Sequence, residues 1–192
     1  MKRILFVNAC VREESRTKRL AEHLLSRLDG TVETVTLEEL NFPLADQRFL
    51  RQRDALAAQG AFADPLFALA RQFAAADIIV VAAPYWDLSF PAMLKQYFEQ
   101  INAVGVTFAY SPEGIPVSLC RAKSLYYVTT AGGPIVSDAF GFGYVRALAE
   151  GFYQIPEIRL IQAEGLDMVG ADVEALLRQA EAEIGRLPEA SR

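Results

Sequence analysis

An α/β fold in three layers follows from the patterning of the chain: a doubly wound, five-stranded parallel sheet with helices on both faces. The run Ile78-Ile79-Val80-Val81-Ala82-Ala83 is wholly apolar, as a parallel strand covered on both faces requires. Runs of this kind alternate with stretches whose apolar residues recur at helical spacing. Strand–helix alternation builds parallel sheets through right-handed crossovers. Five strands favour the order 2-1-3-4-5, with a switch point between strands 1 and 3 and ligands bound at the adjoining crevice.

Ile4-Leu5-Phe6-Val7 is the first strand. Leu20, Ala21, Leu24, Leu25 and Leu28 predict an amphipathic helix over 16–28. Val32, Val35 and Leu37 form the second strand. Asn41-Phe42-Pro43 reads as loop, and the charged run from Asp46 to Ala58 as helix. Leu66, Leu69, Ala70 and Phe73 mark a helix leading into the strand at 78–83. Pro91 suits the first helical position of the next helix, whose buried stripe is Leu94, Tyr97, Phe98 and Ile101. Val106 to Tyr110 alternates like a strand, and Ser111-Pro112-Glu113-Gly114 is a turn, so 106–122 reads as a hairpin-like excursion. Leu125 to Val128 is the fourth core strand, Tyr144 to Phe152 a helix, and Ile158-Arg159-Leu160-Ile161 the fifth strand. Val173, Leu176, Leu177, Ala180, Ile184 and Leu187 line one face of the last helix. With 192 residues and no internal repeat or linker, the chain reads as a single domain.

The bulk numbers exclude several classes. The 52% apolar and 22% charged fractions are those of a soluble globular protein. A net charge of −5 argues against a nucleic-acid or anionic-membrane binder. No apolar run reaches membrane-spanning length, and the N-terminus lacks a signal-peptide pattern, so a cytoplasmic location is expected. Cys10 and Cys120 form no CxxC pair, which indicates neither a zinc site nor a redox dithiol, and no metal is expected. His23, the sole histidine, beside a helix stripe, makes a Ser-His-Asp or His–metal mechanism a poor fit.

Three loops, after strands 1, 3 and 4, can meet at one edge. The first contains Cys10, Arg12, Ser15, Arg16 and Thr17 and ends at a helix N-terminus. Free N–H groups, the helix dipole and two hydroxyls suit a phosphate, with Arg12 or Arg16 as a charged donor. The other reading is an ordinary Ser N-cap with solvated arginines. Glu13 and Glu14 must point away from any phosphate.

The second loop is Pro84-Tyr85-Trp86-Asp87-Leu88-Ser89-Phe90-Pro91. Connecting turns favour small polar residues; aromatic bulk here needs a flat partner. Tyr85, Trp86 and Leu88 offer an apolar wall for an isoalloxazine ring, and the peptides around Trp86 and Asp87 offer N–H donors. The following helix N-terminus would favour negative charge on the reduced ring. A hydrophobic staple with a Pro cap explains the same residues without a ligand. The third loop, Thr129-Thr130-Ala131-Gly132-Gly133-Pro134, permits close backbone approach to a ligand, or merely a tight turn. Phe108, Tyr110, Phe140, Phe142 and Tyr144 line a pocket or simply pack.

Taken together these segments resemble the FMN-dependent NADH azoreductases and NAD(P)H:quinone oxidoreductases of flavodoxin-like fold. Ser15-Arg16-Thr17 is similar to the family's Ser-x-Ser phosphate element. Tyr85-Trp86-Asp87-Leu88, with Phe90-Pro91 and Leu94-Lys95-Gln96-Tyr97-Phe98, is similar to its Met-Tyr/Trp-Asn-Phe flavin motif and following helix. Gly105-Val106-Thr107-Phe108 looks like its Gly-Val-Thr-Phe, and Thr129-Thr130-Ala131-Gly132-Gly133 like its Thr-Ser-Arg-Gly-Gly loop. Ala163-Glu164-Gly165 recurs after the last strand.

The resemblance implies a homodimer with FMN near the subunit interface, partly covered by the 106–122 excursion. It implies ping-pong hydride transfer through flavin N5, from NADH or NADPH to quinones, azo compounds or related small aromatic acceptors. It implies cofactor contacts from Cys10, Arg12, Ser15, Arg16, Thr17, Pro84, Tyr85, Trp86, Asp87, Leu88, Thr129, Thr130, Ala131, Gly132 and Gly133, and no catalytic side chain, since water can supply the acceptor's proton. The sequence departs from the family where Cys10 replaces a serine, the phosphate loop is one residue shorter, Asp87 replaces asparagine and Ala131 replaces arginine. An Asp87 carboxylate facing the ring would lower the flavin's potential.

Two alternatives stand beside this. Cys10 to Arg16-Thr17 also spells C-x5-R-[ST], the loop of low-molecular-weight tyrosine phosphatases, with Cys10 as thiolate nucleophile and Arg16 as clamp. Against it stand the absence of Gly or Asn in the loop, the two glutamates, and no Asp-Pro-Tyr acid motif. The other is a non-enzymatic flavodoxin-type electron carrier docking through its acidic surface; the aromatic excursion speaks instead for a covered small-molecule pocket.

Overall fold

The computed structural model describes residues 1–186. Five parallel strands form the central sheet: β1 (Arg3–Asn8), β2 (Thr31–Thr36), β3 (Ile78–Ala82), β6 (Ser124–Thr130) and β7 (Glu157–Ala163). They pair in the order β2-β1-β3-β6-β7, which is the expected 2-1-3-4-5 once the short antiparallel hairpin β4 (Phe108–Tyr110) and β5 (Pro116–Ser118) is set aside. The helices are α1 (Arg16–Leu25), α2 (Gln47–Ala58), α3 (Ala68–Ala75), α4 (Ala92–Ile101), α5 (Phe142–Gly151) and α6 (Val173–Gly185). Leu187, expected on the last helix face, lies outside the described residues.

Strand alternation divides the core into two layers. Leu5, Val7, Ile79, Val81, Leu125 and Tyr127 face one side, where α3, α4 and α5 bury Phe73, Leu94, Phe98 and Val145 against them. Ile4, Phe6, Ile78, Val80, Tyr126 and Val128 face the other, covered by Leu20 and Leu24 of α1 and Leu177 and Ile184 of α6. Both faces of the three central strands are therefore covered, which is why β3 is apolar throughout and β1 and β6 are apolar or aromatic along their middles. β2 lies at an edge, and its Val32 stays exposed while Val35 is buried.

Several boundaries differ from expectation. Pro91 is the N-cap of α4, with ψ 139°, rather than its first helical residue. Leu37 leaves β2 for a 3-10 turn, Leu37–Glu39. Residues 65–67 form a separate 3-10 turn before α3, opened by Asp64, whose carboxylate accepts the Leu66 N–H at 2.9 Å. Val106 and Thr107 precede β4: the Thr107 hydroxyl donates to the Ile101 carbonyl at 2.7 Å and so closes the end of α4. α5 begins at Phe142, two residues earlier than the apolar spacing indicates.

Candidate functional site

The strand ends are pinned side by side at the carboxyl edge of the sheet. Ala9 N–H donates to Ala82 O at 2.8 Å, Ala83 N–H to Val128 O at 3.0 Å, Tyr85 N–H to Thr130 O at 2.9 Å and Ala131 N–H to Ala163 O at 2.9 Å. The loops after β1, β3, β6 and β7 consequently surround one open crevice of about 260 Å3 at the switch point. Eleven of the predicted residues line it: Cys10, Arg12, Ser15, Arg16, Thr17, Pro84, Tyr85, Trp86, Thr130, Ala131 and Gly132. Val11, Glu14 and Asp167 complete the lining.

One wall is the first turn of α1. Ser15 caps the helix, its hydroxyl accepting the Lys18 N–H at 3.2 Å. The N–H groups of Ser15, Arg16 and Thr17 have no acceptor among the described residues, as helix starts leave them. Beneath them the Thr17 and Thr130 hydroxyls lie 2.6 Å apart, both buried. Their two protons cannot both lie between the two oxygens. The first loop thus supplies donors that an anion can use.

The second wall is the loop after β3. Trp86 and Ser89 exchange both backbone hydrogen bonds, N–H to O at 3.1 and 2.7 Å, around Asp87 (φ 50°) and Leu88 (φ 67°). Two central residues at positive φ are the geometry of a type I′ turn, normally built from Asn and Gly. The turn spends the Trp86 amide, so of the two peptides expected to donate, the Asp87 N–H is the one left without an acceptor among the described residues. Tyr85 and Trp86 reach the crevice, whereas Asp87 and Leu88 form the tip of the turn outside it. The Tyr85 hydroxyl donates to Ser137 O at 3.1 Å and the Ser89 hydroxyl to Phe140 O at 2.6 Å, tying this wall to the loop after β6.

At Gly132 a Cβ would take the space that the Asp167 carboxylate occupies, so any larger residue would have to displace that side chain. The chain returns the contact: Asp167 N–H donates to Gly132 O at 2.8 Å. Gly133 stands just beyond the lining. Thr129 faces the opposite side of the sheet, beside Tyr127, Gln162 and Phe142 in a small cleft, with its hydroxyl unpartnered. Strand alternation forces this: if Thr130 points to α1, Thr129 points away.

Arg16 turns its guanidinium to Asp167, 2.7 Å away, and to Leu166 O at 3.0 Å. Arg12 makes no ion pair among the described residues. Glu13 is exposed and lines a neighbouring cleft rather than this crevice, while the exposed Glu14 borders both. Burial pushes the Cys10 thiol up to about 11, and its sulfur lies 3.8 Å from Ala82 O. A thiol held protonated beside an occupied arginine does not make a phosphatase nucleophile and clamp.

Among the aromatics left open, Phe108 packs, stacked on Phe152 with ring centroids 4.5 Å apart. Tyr144 packs against Phe90 and Phe98. Phe142 lines the Thr129 cleft, and Phe140 and Tyr110 are exposed. Sequence reasoning missed Asp167; its only signal was the neighbouring Ala163-Glu164-Gly165 segment. Among the described residues no helix is long and apolar enough to cross a membrane.

Comparison with known proteins agrees with this geometry. A family described as flavodoxin-like fold matches residues 2–187. The FMN-dependent NADH:quinone oxidoreductase of Lachnoclostridium phytofermentans is 32% identical over 195 residues, covering 96% of this chain and 97% of that protein. FMN-dependent NADH:quinone oxidoreductase 2 of Clostridium acetobutylicum is 45% identical over 114 residues, 57% of this chain and 56% of that protein. The crystal structure of an azoreductase from Bacillus anthracis superposes with a TM-score of 0.82 at 26% identity, covering 97% of this chain and 98% of that one. With strand order, crevice and full-length similarity in agreement, the chain belongs to the FMN-dependent NADH:quinone oxidoreductase family of flavodoxin-like fold.

Proposed function

We propose that the chain is a single FMN-binding domain that oxidises NADH or NADPH and passes the electrons to a quinone, an azo compound or a related small aromatic acceptor, in ping-pong order. The observation that carries this reading is the convergence of Thr17, Trp86 and Gly132, from three distant loops, on one crevice. The family's FMN and NADH, named for its relatives, fit that crevice's chemistry.

In this reading the amides of the first turn of α1, the Thr17 and Thr130 hydroxyls and Arg12 bind the flavin's phosphate. Tyr85 and Trp86 cover a ring face and exclude water from it. Gly132, having no Cβ, admits close backbone approach beside the Asp167 carboxylate. FMN, when bound, supplies the two-electron chemistry; the protein orients it and sets its surroundings. No side chain is assigned a proton-transfer role. Two unpaired cysteines suit a reducing cytoplasm. Exposed Tyr110, Ile115, Val117 and Leu119 on and beside the β4–β5 hairpin support a homodimer, which sedimentation tests directly.

The deciding experiment is the visible spectrum of the protein after mixing with FMN and gel filtration, followed by NADH oxidation with menadione. Retained flavin absorbance with steady turnover is expected. Protein that emerges colourless removes the cofactor assignment. Retained flavin without turnover assigns an electron carrier instead.

A further inference from the structure

Four charged side chains line the crevice, and their formal charges cancel: Arg12 and Arg16 against Glu14 and Asp167. Of these, Asp167 is exposed at its side chain (63%) yet tied to its surroundings at three points. Its carboxylate fills the space a Gly132 Cβ would take, its amide donates to Gly132 O at 2.8 Å, and it accepts from Arg16 at 2.7 Å. Leu166 N–H donates to Ala131 O at 3.2 Å and Gly165 N–H to Gly133 O at 3.1 Å, so the whole segment is laced to the loop after β6. A negative charge thus stands at the edge of a site whose donors suit an anion.

We propose that Asp167, held against Gly132 and paired with Arg16, sets how strongly the crevice prefers a flavin that carries a phosphate over one that does not. The inference rests on the flavin reading above. Two effects of Asp167 oppose each other: its charge repels a phosphate dianion, and its bond orients Arg16. Arg16 has a second anchor, the Leu166 carbonyl at 3.0 Å, and so keeps its place when the carboxylate is neutralised. Repulsion is therefore the effect that changes. One unit charge acting on a dianion across a partly solvated crevice alters binding by roughly three- to thirtyfold. Asparagine has the same size as aspartate and retains an acceptor for Arg16, so Asp167→Asn changes charge while sparing the packing on Gly132.

The test is fluorescence titration of the unliganded full-length protein with FMN and with riboflavin, which lacks the phosphate, at low and high salt. Asp167→Asn is expected to tighten FMN about tenfold, to leave riboflavin within twofold, and to lose most of its effect at high salt. Asp167→Ser, which removes the charge with a smaller side chain, decides if Asp167→Asn does not fold: the same selective tightening of FMN is expected, and its absence overturns the proposal. A shift of both flavins together would reduce Asp167 to packing and overturn the proposal, as would no shift or a weakening of FMN in Asp167→Asn. If the wild-type protein binds neither flavin, the cofactor assignment itself falls, and this inference with it.

Discussion

The hydroxyls of Thr17 and Thr130 lie 2.6 Å apart although 113 residues separate them in the chain. Thr17 sits in the first turn of α1 and Thr130 closes β6, so the bond ties the first loop to the third across the sheet edge. Both side chains are buried, and each is the other's only hydroxyl partner among the described residues.

Replacing either threonine by valine keeps the shape and strands the remaining hydroxyl. Thr17→Val and Thr130→Val should each destabilise by about 1–3 kcal/mol, and the double variant by clearly less than their sum. Urea unfolding of the four proteins measures the coupling. Additive losses would mean that the two hydroxyls do not interact.

Two buried tyrosines of the same core layer should answer the same substitution differently. Tyr153 donates its hydroxyl to Asn102 Oδ1 at 2.6 Å, whereas the Tyr97 hydroxyl is buried with no partner. Tyr153→Phe should cost about 1 kcal/mol, leaving Asn102 short of a donor. Tyr97→Phe should be neutral or stabilising, since it removes a desolvated hydroxyl. Thermal midpoints that fall equally in both would contradict the contrast.

Stability should decline in alkali through the thiols. Burial raises Cys10 from 9.0 to about 11 and Cys120 from 9.0 to about 12. Above pH 9 the unfolded chain loses these protons while the folded chain keeps them. The unfolded state then binds fewer protons, so stability falls as pH rises through the window from 9.0 to about 11 for Cys10. Its share is on the order of 2 kcal/mol by the top of that window. Denaturant midpoints between pH 8 and 11 should show the decline, shallower in Cys10→Ala; a slope identical to wild type would exclude Cys10 as a source.

The turn at Asp87 and Leu88 holds two side chains at positive φ, where Asn-Gly is the favoured pair. Half-exposed Leu88 has little packing to lose. Asp87→Asn combined with Leu88→Gly should raise stability by about 1 kcal/mol. Calorimetry checks this, and a lower melting temperature would show that the leucine contact outweighs the backbone strain.

Much of this molecule is readable before folding. Ile78 to Ala82 is legible because a parallel strand covered on both faces has to be apolar at every position. The helix of Leu20, Ala21 and Leu24 is legible because one face meets the sheet. Thr17, Trp86 and Gly132 were legible as loop residues after successive core strands, and the crevice brings them together. Asp167 was not: beyond its place two residues after Ala163-Glu164-Gly165, nothing local distinguishes it from any other acid in a surface loop.

The chain's own patterning determined the order of strands and helices, the crossovers and therefore which loops share an edge, because these depend on periodicities written over neighbouring residues. Tertiary structure alone decided that Thr130 faces the crevice while Thr129 turns away, since adjacent strand residues point to opposite faces and only the packed sheet selects which. It also decided that Arg16 bonds to Asp167, 151 residues onward, because a charge finds its partner through the meeting of loops that no local pattern records.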